Sequence, residues 1–205
     1  MSKMRKNSFQ GKFIVFEGLD GSGKTTQAKL LASYFQDSGQ DTLLTCEQTK
    51  GPIGRLISKA LVKEIDLPAQ SLQLLFVADR VDHLEKEIIP ALKSGKTVIS
   101  DRYFWSTVAY GSLGLNRDWL VNLHRYCLRP DLVVFIKTSP DTCLDRIEKR
   151  GKGKSIFEAK KKLARVNKTY YWLIERFADR SIVVDGNVSP RIIAQNVVEL
   201  ISKRL

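Results

Sequence analysis

The chain is poor in cysteine, proline and histidine, with three, six and two of them in 205 residues. Cys46, Cys127 and Cys143 are odd in number, far apart and in no C-x-x-C pair. That pattern argues against a disulfide framework and a structural zinc site. His83 and His124 have no cysteine or carboxylate at ligand spacing, so packing or helix-surface roles are expected of them. No run approaches the roughly 20 apolar residues of a membrane helix, and no apolar signal core follows residues 1–7. A cytoplasmic chain without a membrane partner is expected. Linkers rich in proline or serine, internal repeats and low-complexity tracts are missing as well, so residues 1–205 read as one domain.

What the chain does have is basic charge, a formal net +12, which favours anionic partners without choosing among them. Short apolar runs rich in β-branched residues at 13–16, 42–45, 97–99, 132–136 and 182–184 read as strands. Helical periodicity fills 26–35, 72–92, 140–150, 157–177 and 192–205. Strand alternating with helix predicts an α/β three-layer sandwich: a five-stranded parallel sheet with helices on both faces and ligands at the carboxyl ends of strands.

Gly18-Leu19-Asp20-Gly21-Ser22-Gly23-Lys24-Thr25 fits G-x-x-x-x-G-K-S/T, between the first strand and the first helical pattern. A loop wrapped round phosphates must turn its backbone N–H groups inward, which glycine permits, and the helix N-terminus adds its positive dipole end. Gly18, Asp20, Gly21, Ser22, Gly23, Lys24, Thr25 and Thr26 are therefore the candidate ATP-binding residues. Lys24 supplies charge to the β- and γ-phosphates, and the Thr25 hydroxyl suits Mg²⁺. No N-K-x-D element of a GTPase occurs, which leaves a small-molecule kinase ahead. At the end of the third strand, Asp101-Arg102 offers an acid for Mg²⁺ and a fork for an acceptor phosphate; taken alone the pair could equally be a surface salt bridge.

These motifs, taken with Leu75-Phe76-Val77-Ala78-Asp79-Arg80, Ser106-Thr107-Val108-Ala109-Tyr110 and Pro130-Asp131-Leu132-Val133, resemble the thymidylate kinase family along nearly the whole chain. The resemblance implies ATP- and Mg²⁺-dependent phosphorylation of dTMP to dTDP by a P-loop kinase with a short lid near 150–157. It implies thymine stacked on Phe76, Arg80 bonding a base carbonyl, and Thr107 near the other polar edge. It also implies Arg102 on the acceptor phosphate, Asp101 with Mg²⁺, Asp20 at the sugar 3′-hydroxyl and Tyr110 crowding the 2′ position. Core packing for Phe76 and loop capping for Asp20 remain the alternatives. Some family members carry an arginine inside the P-loop; here that position is Gly21, which points to Arg150 of the lid as the transition-state cation, against a plain solvated basic loop. A homodimer is implied and a nucleic-acid partner is not.

Two departures qualify the match. Cys46-Glu47-Gln48 stands where the family usually has Arg-Glu-Pro, and Lys137 ends the fourth strand where an acid is frequent. Lys50 offers a point charge nearby but no bidentate fork. They keep open a kinase for another nucleoside monophosphate or a deoxynucleoside, and a nucleotide-binding paralogue without catalysis.

Overall fold

The computed structural model describes residues 4–149 and 156–205, with the backbone alone for 156–159. Five strands, β1 (Phe13–Glu17), β2 (Thr42–Cys46), β3 (Thr97–Asp101), β4 (Leu132–Lys137) and β5 (Ser181–Asp185), form one sheet in the order β2-β3-β1-β4-β5. Every pairing is parallel. A parallel sheet needs crossovers, and helices supply them. They are α1 (Lys24–Asp37), α2 (Pro52–Leu61), α3 (Ala69–His83), α4 (Ile89–Lys93), α5 (Phe104–Gly111), α6 (Arg117–Leu123), α7 (Pro140–Glu148), α8 (Ile156–Arg176) and α9 (Pro190–Ser202).

All five residues of β1 are buried, as a strand covered on both faces requires. The alternation of its side chains separates two cores. Phe13 and Val15 join Val98, Phe135, Trp105 and Tyr170 on one face; Ile14 and Phe16 join Ala28, Leu31, Ile193 and Val197 on the other. Burying one such aliphatic or aromatic side chain is worth about 1.5–3 kcal/mol, so β1 anchors both cores.

β1 lies between β3 and β4, the place where successive connections leave in opposite directions and a crevice opens at the carboxyl ends. Phe16 is level with Asp101 across the β1–β3 ladder. The loop after β1 and the Asp101-Arg102 pair after β3 therefore leave the sheet side by side. The single helix expected over 72–92 is instead α3, a π-helical turn (Leu84–Ile88) and α4. Of the lid expected at about 150–157, residues 150–155, Arg150 among them, lie outside the described residues, and residues 156 and 157 open α8.

Candidate active site

The loop of residues 18–23 joins β1 to α1. Gly21 has φ +83°, and a Cβ there would lie 2.4 Å from the Cys143 carbonyl oxygen. At Gly18 a Cβ would lie 2.7 Å from Ser22 Oγ and 2.9 Å from the Ile136 carbonyl oxygen. The two glycines are thus required by space as well as by torsion. Arg146 of α7 braces the loop from behind, donating to the carbonyls of Ser22 and Gly186 at 3.3 and 3.0 Å.

Lys24 is buried and curls back, Nζ donating to the Leu19 carbonyl at 3.0 Å and lying 3.9 Å from Asp20 Oδ1. Burial, with the Arg102 charge, pulls its pKa down to about 8 against the raising effect of Asp20, Asp101 and Glu17. An arriving phosphate would restore the favoured charge. Thr25 and Thr26 are exposed on the first turn of α1. The Thr25 hydroxyl donates to Asp101 Oδ2 at 2.5 Å, while Asp101 Oδ1 is buried with no hydrogen-bond partner among the described residues. A hydroxyl beside a half-satisfied carboxylate is an oxygen donor set suited to Mg²⁺, which takes one or two carboxylates and keeps its waters. Among the described residues no group of three or more His, Cys, Asp or Glu is placed to hold a metal on its own.

Arg102 has φ +76°, a strained conformation for a side chain this large, held by its N–H on the Phe16 carbonyl and by Ser100 Oγ donating to its own carbonyl. Its guanidinium forms an ion pair with Asp20, donates to Ser106 Oγ at 3.0 Å and lies 5.7 Å from the centre of the Tyr110 ring. Burial works against its charge, and Asp20 nevertheless holds its pKa well above the ordinary arginine value. Tyr110 donates to Asp20 Oδ2 at 2.9 Å and accepts from the Asp20 N–H at 3.0 Å. Burial resists the ionisation of Asp20, yet Arg102, Lys24 and Tyr110 together lower its pKa. The carboxylate of Asp20 is thus turned across to Arg102 and Tyr110, and the loop-capping alternative has no hydrogen bond to rest on among the described residues.

Asp20, Phe76, Arg80, Arg102, Thr107 and Tyr110 all line one cleft of about 360 Å³. Phe76 is partly exposed there and belongs to neither core cluster, so its ring is free to serve as a wall. Arg80, four residues on, is 1% exposed. Its Nε donates to Glu47 Oε2 at 2.7 Å, Nη2 to Thr107 Oγ1 at 3.0 Å, and Nη1 to His124 Nε2 at 2.8 Å.

Three site groups escaped the sequence reading. Glu47 pairs with Arg80 and also lies 3.6 Å from His83 Nδ1. His124 is fully buried against Arg80. Glu17, at the end of β1, accepts from Ser106 Oγ at 2.6 Å and from the Tyr103 N–H at 2.9 Å, and burial raises its pKa to about 7. Only Glu17 carried a sequence signal, a carboxylate ending the apolar run 13–16; Glu47 and His124 sit among polar neighbours and carried none.

Of the departures, Cys46 ends β2 exposed, level with Asp101. Gln48 lines the cleft and donates to Ser58 Oγ at 3.0 Å. The turn between them and α2 is held by Asp79, which accepts from the Thr49 N–H and hydroxyl at 2.8 and 2.6 Å. Lys137 is exposed at the β4–β5 edge, opposite Asp185 and 5.9 Å from the Tyr171 ring.

The sequence model of the family Thymidylate kinase matches residues 16–197, from the end of β1 into α9. The chain belongs to the thymidylate kinase family. A "Probable thymidylate kinase" of Pyrococcus horikoshii is 41% identical over 180 residues, covering 85% of this chain and 88% of the relative. Another "Probable thymidylate kinase", from Methanococcus aeolicus, is 44% identical over 164 residues, 80% of this chain and 79% of the relative. A bacterial "Thymidylate kinase", from Leptospira interrogans, is 35% identical over 191 residues, 92% of each. The kinase-type P-loop, the parallel sheet and the cleft beside them are in keeping with that family. No helix among the described residues is long and apolar enough to cross a membrane.

Proposed function

We propose that this member of the thymidylate kinase family moves the γ-phosphate of ATP to dTMP, giving dTDP, with Mg²⁺ as the metal. One observation carries the reading: a single cleft is lined both by the P-loop residue Asp20 with its ion-pair partner Arg102 and by Phe76, Arg80 and Thr107. A nucleotide laid along it brings its phosphate to the guanidinium of Arg102 and its base to the ring of Phe76.

Asp20 is the ion-pair partner of Arg102. An acceptor phosphate would take that place as the better bidentate partner, releasing the Asp20 carboxylate for the sugar 3′-hydroxyl. Tyr110, bonded to the same carboxylate, would stand beside the sugar and is assigned the crowding of a 2′-hydroxyl. Arg80 presents only donors, which suits a 4-oxo pyrimidine and opposes a 4-amino one.

On the donor side the residues of the P-loop would hold the ATP phosphates, with Lys24 leaving the Leu19 carbonyl for them. Thr25 and Asp101 would hold the metal. Held there, Mg²⁺ would supply charge neutralisation to the ATP phosphates. Transfer through a loose, metaphosphate-like transition state asks chiefly for alignment and positive charge. Lys24 and Arg102 are assigned that charge, together with Arg150 from the lid, because the P-loop has Gly21 where an arginine would otherwise supply it. Residues 1–205 are taken as one kinase domain. The protein is assigned a homodimer across α3, whose exposed Leu74 and Val81, seven residues apart, share a face.

Steady-state transfer from ATP and Mg²⁺ to dTMP, in wild type and Arg102→Ala, tests the reading. At least about a 100-fold loss in kcat/KM for dTMP is expected of the variant. Turnover in Arg102→Ala equal to wild type would remove its basis.

A further inference from the structure

His124 fits poorly as packing. It caps the end of α6, is fully buried, and meets Phe104 edge-on at 5.6 Å. A phenyl ring would fill such a place without bringing two polar nitrogens into an apolar core, where unpaired ones cost free energy. One of the two, Nδ1, has no partner among the described residues. The other, Nε2, lies 2.8 Å from Arg80 Nη1.

Arginine can only donate, so Nε2 must carry the lone pair and the ring proton must sit on Nδ1. The imidazole is therefore held as a neutral acceptor in its Nδ1–H tautomer, with that N–H left over. Burial and the Arg80 charge drive its pKa well below the ordinary histidine value, consistent with that state. Titration is not needed for the argument, because the donor count alone fixes the tautomer.

The consequence falls on Arg80. Of its five N–H groups, those on Nε and Nη2 are taken up by Glu47 and Thr107. His124 accepts from one Nη1 N–H, and the remaining one is the guanidinium's unassigned donor in a residue that lines the cleft. We propose that His124 is a specificity-determining positioning residue, whose Nε2 lone pair holds Arg80 Nη1 so that a donor faces the 4-oxo group of a pyrimidine base. The inference rests on the reading of Arg80 as the base donor given above. What it adds is the residue that aims the donor.

The test uses the full chain with ATP, Mg²⁺ and either dTMP or dCMP. Wild type is first compared on the two acceptors. Equal efficiency there would defeat the reading of Arg80 itself, whatever His124 does. With a preference for dTMP established, His124→Phe is expected to raise KM for dTMP at least about tenfold and to shrink the dTMP-to-dCMP ratio by a similar factor, with kcat within about threefold of wild type. His124→Gln, which restores an acceptor, is expected to recover most of the ratio. A folded His124→Phe protein with unchanged KM and unchanged ratio would overturn the role of His124 alone. Should the phenylalanine variant not fold, the ¹⁵N spectrum of the wild-type ring decides. With two histidines in the chain, assignment needs only a comparison with His83→Gln. A neutral Nδ1–H tautomer for His124 at pH 7 supports the inference, and an Nε2–H or charged ring overturns it.

Discussion

The Thr25 hydroxyl meets Asp101 Oδ2 at 2.5 Å, joining the first turn of the P-loop helix to the carboxyl end of the neighbouring strand β3. The contact depends on the register that sets Phe16 level with Asp101, and so on the parallel β1–β3 pairing itself. A one-residue slip of β3 would turn Asp101 to the other face.

Asp101→Asn keeps an acceptor for Thr25 but removes the charge that a divalent metal needs. Because Asp101 Oδ1 has no partner to lose, stability is expected to stay within about 1 kcal/mol of wild type by urea denaturation. The kcat/KM for dTMP is expected to fall at least about 100-fold, with a higher Mg²⁺ concentration at half-activity. An unchanged Mg²⁺ titration would count against Asp101 as a metal residue.

Gly21→Ala places a Cβ 2.4 Å from the Cys143 carbonyl at φ +83°. The left-handed torsion alone costs about 1–2 kcal/mol. Denaturation of the apo-protein is expected to register at least that loss, and nucleotide titration a weakened ATP site. The same clash explains why an arginine inside this P-loop is not an option for the chain as folded.

Glu17 gives the fold a pH dependence of definite sign. Burial raises its carboxyl from an ordinary 4.5 to about 7, against the lowering effects of Ser106 and Arg102. Between those two values the folded state keeps a proton that the unfolded state has released, so stability falls as pH rises from about 4.5 to 7 and is level outside that window. The total is about 3 kcal/mol. The difference in unfolding free energy between pH 5 and pH 8 is expected to shrink by about 2–3 kcal/mol in Glu17→Gln. An identical pH difference in the two proteins would exclude Glu17 as the titrating group.

Tyr110→Ala opens the sugar end of the cleft and frees the Asp20 carboxylate from one of its donors. The ratio of kcat/KM for UMP over dUMP is expected to rise about 10- to 200-fold, the range that one steric contact in a pocket supports. No change in that ratio would separate Tyr110 from the 2′ position.

Much of this was legible in the chain. Each expected strand lies inside an observed one; β1 and β4, buried on both faces, are written as nearly unbroken apolar runs, whereas the partly exposed β2 was carried by its Thr and Leu residues. Helix α5 was marked only by Trp105 in a helical pattern, because with Phe104, Trp105, Thr107, Val108, Ala109 and Gly111 all buried its helical period is weak. The phosphate loop is local in sequence and reads directly. Glu47, Arg80 and His124 are a different matter, being joined across 33 and 44 residues of chain. Nothing in the neighbourhood of His124 announces Arg80, and only the fold brings them together. The family resemblance pointed to Arg80, and the fold shows what holds it.

The most direct measurement is the rate of ATP-dependent phosphorylation of dTMP, dCMP, dGMP and dAMP by the purified chain under one set of conditions. The account predicts that dTMP has the highest kcat/KM. Faster turnover of dCMP or dGMP, or no transfer to any of the four, would contradict it.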